Sequence, residues 1–150
     1  MLSEGAPMPE FSLPDQNGRI FNSKDYIGKP LVIYFYPKDN TPGCTKEACS
    51  FRDSYGEYQK MGITVVGISA DSPNSHEKFA KKFNLPFILL ADTEKTVLRA
   101  FGAWGEKKLY GKVYEGVIRS TFVIGPDGKV KKVFPKVSPE GHASEVLAFV

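Results

Sequence analysis

Three features of the sequence predict an α/β fold whose sheet combines parallel strands with an antiparallel edge. Two runs, LVIYFY at 31–36 and ITVVGI at 63–68, are apolar throughout rather than alternating, as expected of strands covered on both faces. Segments with helix start and stop signals separate the strand-like runs, so the strands must be joined by crossovers. Near the end, two further strand-like runs flank Pro126-Asp127-Gly128, which reads as the turn of an edge hairpin.

Each element has its own local signal. FSLPDQNGRIF (11–21) reads as two short strands around Asp15-Gln16-Asn17-Gly18, an N-terminal hairpin. Gly28-Lys29-Pro30 punctuates the chain before the strand Leu31–Tyr36. Thr41 suits an N-cap, Pro42 the first helical position and Gly62 the stop, so TPGCTKEACSFRDSYGEYQKMG is expected to form one helix. Ile63–Ala70 is the second strand, and Asp71-Ser72-Pro73 opens a helix over SPNSHEKFAKKFN. Phe87–Leu90 is a third strand, followed by a short helix at Thr93–Phe101 begun by Asp92 or Thr93. GAWGEKKLYGKVYEG (102–116) is expected to be a glycine-punctuated loop. VIRSTFVIG and KVKKVF form the hairpin, and PEGHASEVLAFV closes the chain as a helix. With no repeat, linker or low-complexity tract, residues 1–150 are read as one domain.

Composition narrows the function classes. Apolar residues at 41% and charged residues at 25% fit a packed soluble chain and argue against disorder. No apolar run approaches the length of a membrane span. MLSEGAPMPEF lacks the basic-then-apolar pattern of a secretion signal, so a cytoplasmic location is expected. The net charge of +3 is spread over short lysine pairs at 81–82, 107–108 and 131–132, which read as a solvated surface rather than a nucleic-acid face.

Both cysteines, Cys44 and Cys49, stand in PKDNTPGCTKEAC, just after the first buried strand. If Thr41 caps the helix, Cys44 lies in its first turn, where unpaired N–H groups and the helix dipole favour a thiolate. Such a position makes Cys44 more reactive than a free cysteine. Thr41 is also placed to present its hydroxyl to the same sulfur. Five residues of ideal helix give ~7.5 Å of rise and ~140° of rotation, setting the two Cα atoms roughly 8.6 Å apart. A disulfide tolerates about 7 Å at most, so these thiols join only if a turn unwinds. That spacing suits a redox pair in which Cys44 becomes a sulfenic acid and Cys49 then attacks it. It also fits a helix with two packed thiols, and more weakly a metal site.

The remaining chemistry is sparse. A Cys-x-x-Cys oxidoreductase pair is absent, and neither His76 nor His142 is near the cysteines in sequence. His76, on a Lys/Glu-rich helix, reads as solvated, and His142 as helix-terminal. Gly28-Lys29 precedes a strand instead of following one, so it is no phosphate loop, and no Gly-x-Ser-x-Gly elbow occurs. A buried strand leading into a helix with cysteine in its first turn is the thioredoxin-like arrangement.

PKDNTPGC closely resembles the peroxiredoxin motif Pro-x-x-x-Thr-x-x-Cys, with Pro37, Thr41 and Cys44 matching position for position. The continuation CTKEAC-x-x-RD is similar to the peroxiredoxin Q group, also called bacterioferritin comigratory protein, and the likeness runs through GAWGEKKLYGK and VIRSTFVIGPDGKV to the final helix. The resemblance implies a thiol-dependent peroxidase acting on hydrogen peroxide and organic hydroperoxides. Cys44 takes the peroxidatic place and Cys49 the resolving one, and Arg119 falls at the family's strand arginine. On the same grounds Glu47 is the acid that orients Arg119. Gly43 supplies an N–H, Pro42 shields the sulfur and Pro37 sets the strand exit. The implied cycle uses no metal, haem or flavin, and thioredoxin or a similar dithiol re-reduces the disulfide of a monomer. Read from residues alone, Arg119 better suits a strand arginine paired to a carboxylate, an order that the resemblance reverses, and Glu47 also suits a favourable first-turn acid. Tyr36 and Trp104 are candidates for the entrance or, equally, for the core. The rival function is a non-enzymatic redox sensor or chaperone-like protein on the same scaffold. Within the enzymes, the rival is a general disulfide oxidoreductase.

Overall fold

The computed structural model describes residues 1–150. The chain enters through a hairpin, β1 (Ser12–Pro14) and β2 (Ile20–Asn22), and one turn of 3-10 helix at Ser23–Tyr26. Next come β3 (Leu31–Phe35), α1 (Pro42–Asp53), α2 (Tyr55–Lys60), β4 (Thr64–Ser69), α3 (Pro73–Phe83), β5 (Ile88–Ala91) and α4 (Thr96–Ala100). A second hairpin, β6 (Trp104–Leu109) and β7 (Lys112–Val117), precedes β8 (Ser120–Ile124), β9 (Val130–Phe134) and α5 (His142–Leu147). The central sheet has the order β5–β4–β3–β8–β9. Within it β3, β4 and β5 are parallel, while β8 runs antiparallel to β3 and to β9. This is a thioredoxin-like fold, a mixed sheet flanked by helices with an N-terminal hairpin.

The apolar run of β3 is explained by its place at the centre of the sheet, where every residue is buried. Its side chains alternate between two cores. Val32 and Tyr34, with Tyr36 just beyond, pack with Cys44, Ala48 and Phe51 of α1, Tyr58 of α2, and Ala143 and Val146 of α5. Leu31, Ile33 and Phe35 face Phe21, Val97, Leu98 and Phe101 on the other side. Gly67 of β4 is Tyr34's cross-strand partner, and a Cβ there would stand 2.7 Å from the Tyr34 ring. The aromatic layer beneath α1 therefore depends on that glycine.

Four expectations are corrected. The stretch expected as one helix is two, because the chain leaves helical geometry at Ser54 (φ −96°, ψ 2°) before α2 begins. Asp53 and Ser54 are weak helix formers, and the break turns Tyr58 inward, where its hydroxyl donates to the carbonyl of Ala143 at 2.7 Å. Residues 102–116 contain β6 and β7, not a loop. Tyr110 and Gly111 make the two-residue turn with φ of +50° and +76°, a tyrosine standing where asparagine or glycine is usual. The short helix begins at Thr96, three residues after Thr93, because Lys95 before it is left-handed (φ +63°), and Asp92 reaches forward to accept the Leu98 N–H at 2.7 Å. Finally, His76 is fully buried rather than solvated, since its ring hydrogen bonds to Asp39 and Leu90.

Candidate active site

The site forms where the chain leaves β3 and enters α1. Pro42 stands at the first helical position, and Thr41 immediately before it is extended (φ −103°, ψ 155°). Thr41 holds the N-cap position but its side chain does not cap. Its hydroxyl turns back and donates to the carbonyl of Lys38 at 2.8 Å, so its hydrogen is directed away from both the helix and the sulfur. Cys44 follows in the first turn with its thiol buried. By position, the N–H groups of Gly43 and Cys44 have no intrahelical acceptor and remain available to an anion.

Arg119, one residue before β8, reaches across to α1. Its Nη2 donates to Cys44 Sγ at 3.2 Å and its Nη1 to Glu47 Oε1 at 2.6 Å. One guanidinium thus bridges the thiol and a carboxylate one helical turn further on, a task suited to its rigid fork. Gly43 eases the approach, since a Cβ there would lie a tight 3.3 Å from Arg119 Nη2, while Pro139 Cγ at 3.5 Å would be in ordinary contact. Burial works against the charge on Arg119, but Glu47 and Cys44 more than offset it and raise its pKa. Glu47 is fully buried and Oε2 has no hydrogen-bond partner. Burial pushes its carboxyl up to about 7, with Arg119 pulling the other way. The hydroxyl of Tyr34, also buried, is likewise unpartnered, and burial and then the Glu47 charge raise its pKa.

Cys49 lies half-buried further along α1, and both thiols are free. Beside it, Ser50 Oγ accepts the N–H of Ala143 at 3.1 Å, tying this end of α1 to α5. Pro42 is exposed and, with Gly43, Lys46 and Pro139, lines a shallow cleft at the start of the helix. Pro37 is half-buried at the exit of β3. Tyr36 belongs to the core, its hydroxyl donating to Asp39 Oδ1 at 2.6 Å. Trp104 lies half-buried under the Lys95 ammonium, 4.9 Å from the ring centre. His142 begins α5 as expected, but it is buried and lies 2.6 Å from Thr121 Oγ1 through its Nε2.

Lys107 was not legible as part of this neighbourhood, because its segment carried no strand signal. Its Nζ donates to the carbonyl of Val117 at 2.9 Å, two residues before Arg119. Burial lowers its pKa and the Arg119 charge adds to this, while Cys44 opposes it. A β6–β7 lysine therefore contributes to the potential at the thiol. Asp39 and His76 were also missed, and only the position of Asp39 inside PKDNTPGC hinted at them.

A model of the AhpC/TSA family matches residues 5–133 of the chain. Peroxiredoxin Bcp of Escherichia coli is 45% identical over 146 residues, covering 97% of this chain and 94% of that protein. A putative peroxiredoxin of Coxiella burnetii is 46% identical over 146 residues, covering 97% of each. Among solved structures, the bacterioferritin comigratory protein of Xanthomonas campestris, described for its alkyl peroxide reduction activity, superposes with a TM-score of 0.91. It is 38% identical to this chain, and the match covers 97% of this chain and 96% of that one.

Proposed function

The chain belongs to the AhpC/TSA family, in its peroxiredoxin Q group, and is a thiol peroxidase that reduces peroxides; from that premise we propose how its residues divide the work. Cys44 as thiolate attacks the terminal peroxide oxygen, and the O–O bond breaks. The departing alkoxide or hydroxide takes a proton to become alcohol or water, and Cys44 is left as a sulfenic acid. Arg119 and the first-turn N–H groups stabilise negative charge on sulfur and oxygen, with Glu47 holding the guanidinium in line. Thr41 joins them by rotating its hydroxyl toward the bound peroxide, while Pro37 and Pro42 shape the exit and cover of the turn.

Cys49 then attacks the sulfenic acid, expels water and closes an intrachain disulfide after the start of α1 unwinds. The distribution of ties supports this step. Between Thr41 and Cys49, Arg119 is the one side chain from another element that hydrogen bonds to the segment. On either side, Asp39 and Ser50 are anchored to other elements. Thioredoxin or a similar dithiol reduces the disulfide, in a cytoplasmic setting where protein disulfides are transient. An intrachain bond requires no second subunit, so the working unit is a monomer. Organic hydroperoxides join hydrogen peroxide as substrates, in keeping with the alkyl peroxide activity named for the Xanthomonas protein.

The observation that carries this reading is the contact of one half-buried guanidinium with both the thiol and Glu47. Intact mass after one equivalent of hydrogen peroxide tests it. Wild type is expected to lose two hydrogens, Cys49→Ser to gain one oxygen and Cys44→Ser to stay unchanged. Oxidation of Cys44→Ser at the wild-type rate would remove Cys44 from its role.

A further inference from the structure

We propose that Asp39 and His76, joined by a buried hydrogen bond, are positioning residues for the peroxide reaction: they fix the turn that delivers Cys44 to Arg119. The inference rests on the reading of Cys44 as the attacking thiol.

His76 has no exposed surface. Its Nε2 is 2.8 Å from the carbonyl oxygen of Leu90, which can only accept, so Nε2 bears a hydrogen. Its Nδ1 is 2.7 Å from Asp39 Oδ2. The same carboxylate accepts from Tyr36 Oη at 2.6 Å and from Ser75 Oγ at 2.8 Å. The backbone N–H of Asp39 donates to Asp71 Oδ2 at 2.8 Å, which also accepts from Ser69 Oγ at 2.7 Å. Asp39 is thus held from the residue just after β3, from α3 and from the turn after β4, and the His76 ring anchors the group to β5. Asp39, Asp71 and His76 bring ligand-type atoms within 4.8 Å of one another, but protein partners already engage those atoms, which argues against a cation there.

A buried acid–imidazole pair is an expensive way to fill space, because apolar residues of similar volume usually stabilise a core as well or better. What this pair supplies is a fixed point. Asp39 lies five residues before Cys44, next to Asn40, which holds a left-handed φ of +56°. Lys82 Nζ steadies Asn40 through Oδ1 at 3.2 Å, and Thr41 closes the turn on Lys38. The chain therefore enters α1 in one direction only, and that direction sets where Sγ meets Arg119. The pair also marks the upstream limit of the unwinding proposed for α1.

The test uses stopped-flow measurement of sulfenic acid formation by hydrogen peroxide in a Cys49→Ser parent, expressed per folded molecule. Asp39→Ala and His76→Phe are expected to slow it about 10- to 100-fold, as a misplacement of about 1 Å does. Asp39→Asn should recover most of the rate, since its amide N–H can donate to Nδ1 while Oδ1 still accepts from Tyr36. Tyr36→Phe keeps the ring, removes one donor to Asp39 and should slow the reaction even if the Ala and Phe variants fail to fold. Parent rates in the folded variants, or an Asn variant as slow as Ala, would overturn the inference whatever happens to stability. A Cys44→Ser protein that consumed peroxide at the parent rate would overturn the assignment of Cys44 itself. An inert Cys44→Ser beside unchanged Asp39 and His76 variants would overturn only the positioning role.

Discussion

Arg119 and Glu47 make a pair whose two members have different tasks. Arg119 touches the sulfur, so Arg119→Met removes a charged donor from the thiol proposed to attack the peroxide and is expected to lower the peroxide rate constant about 100- to 1,000-fold. Stopped-flow kinetics check this, and Arg119→Lys should recover little, because a point charge cannot reach the thiol and Glu47 together. Glu47 reports through stability. Its folded-state pKa of about 7 lies above the ordinary carboxyl value of 4.5, so the folded protein holds the proton more tightly than the unfolded chain. Stability from this group is therefore full below pH 4.5 and falls as pH rises through about 7. The loss amounts to at most about 3 kcal/mol. Glu47→Gln should abolish that decline, so urea unfolding of mutant and wild type at pH 5 and pH 9 should diverge at the higher pH. Parallel pH profiles would mean that the buried carboxyl does not carry the effect. The sequence placed Arg119 and Glu47 only through resemblance, because their contact joins residues 72 positions apart and leaves no local pattern.

Helix α1 was legible in outline because its start is written in local residues, Thr41 and Pro42. Its break at Ser54 was not, since the break answers to Tyr58 and α5, far away in sequence. The β6–β7 hairpin was missed for a related reason: a Tyr-Gly turn and strands interrupted by Gly105 and Gly116 give neither a turn signal nor a clean alternation. His76 shows the limit most clearly. Its lysine-rich neighbours do face water, yet its own side of α3 closes on β5. The ties along α1 also yield a prediction. Ser50 Oγ accepts the otherwise free Ala143 N–H near the start of α5, a bond of the kind that costs about 1 kcal/mol when a cap is lost. Ser50→Ala should leave the peroxide step unchanged and speed the closure of the Cys44–Cys49 disulfide, as followed by quenched-flow alkylation and mass. An unaltered closure rate would show that this end of α1 does not hold back the opening.

The molecule as a whole places α1, the helix proposed to unwind, against a central five-stranded sheet. The fold class could be read from the apolar runs because β3 and β4 are central and parallel, the setting that produces such runs. The meeting of α1 with the residue before β8 required the three-dimensional arrangement, since β8 reaches β3 only after the β6–β7 excursion. Folded, α1 gives Cys44 its anion-binding turn and its contact with Arg119; wound as it is, it keeps Cys49 out of reach. Hydrogen exchange on the dithiol and disulfide forms tests this account most directly. Faster exchange over residues 42–52 in the disulfide form, with β3, β4 and β8 equally protected in both, is the expected result. Equal protection of 42–52 in the two forms would contradict it, because the disulfide would then have closed without unwinding the helix.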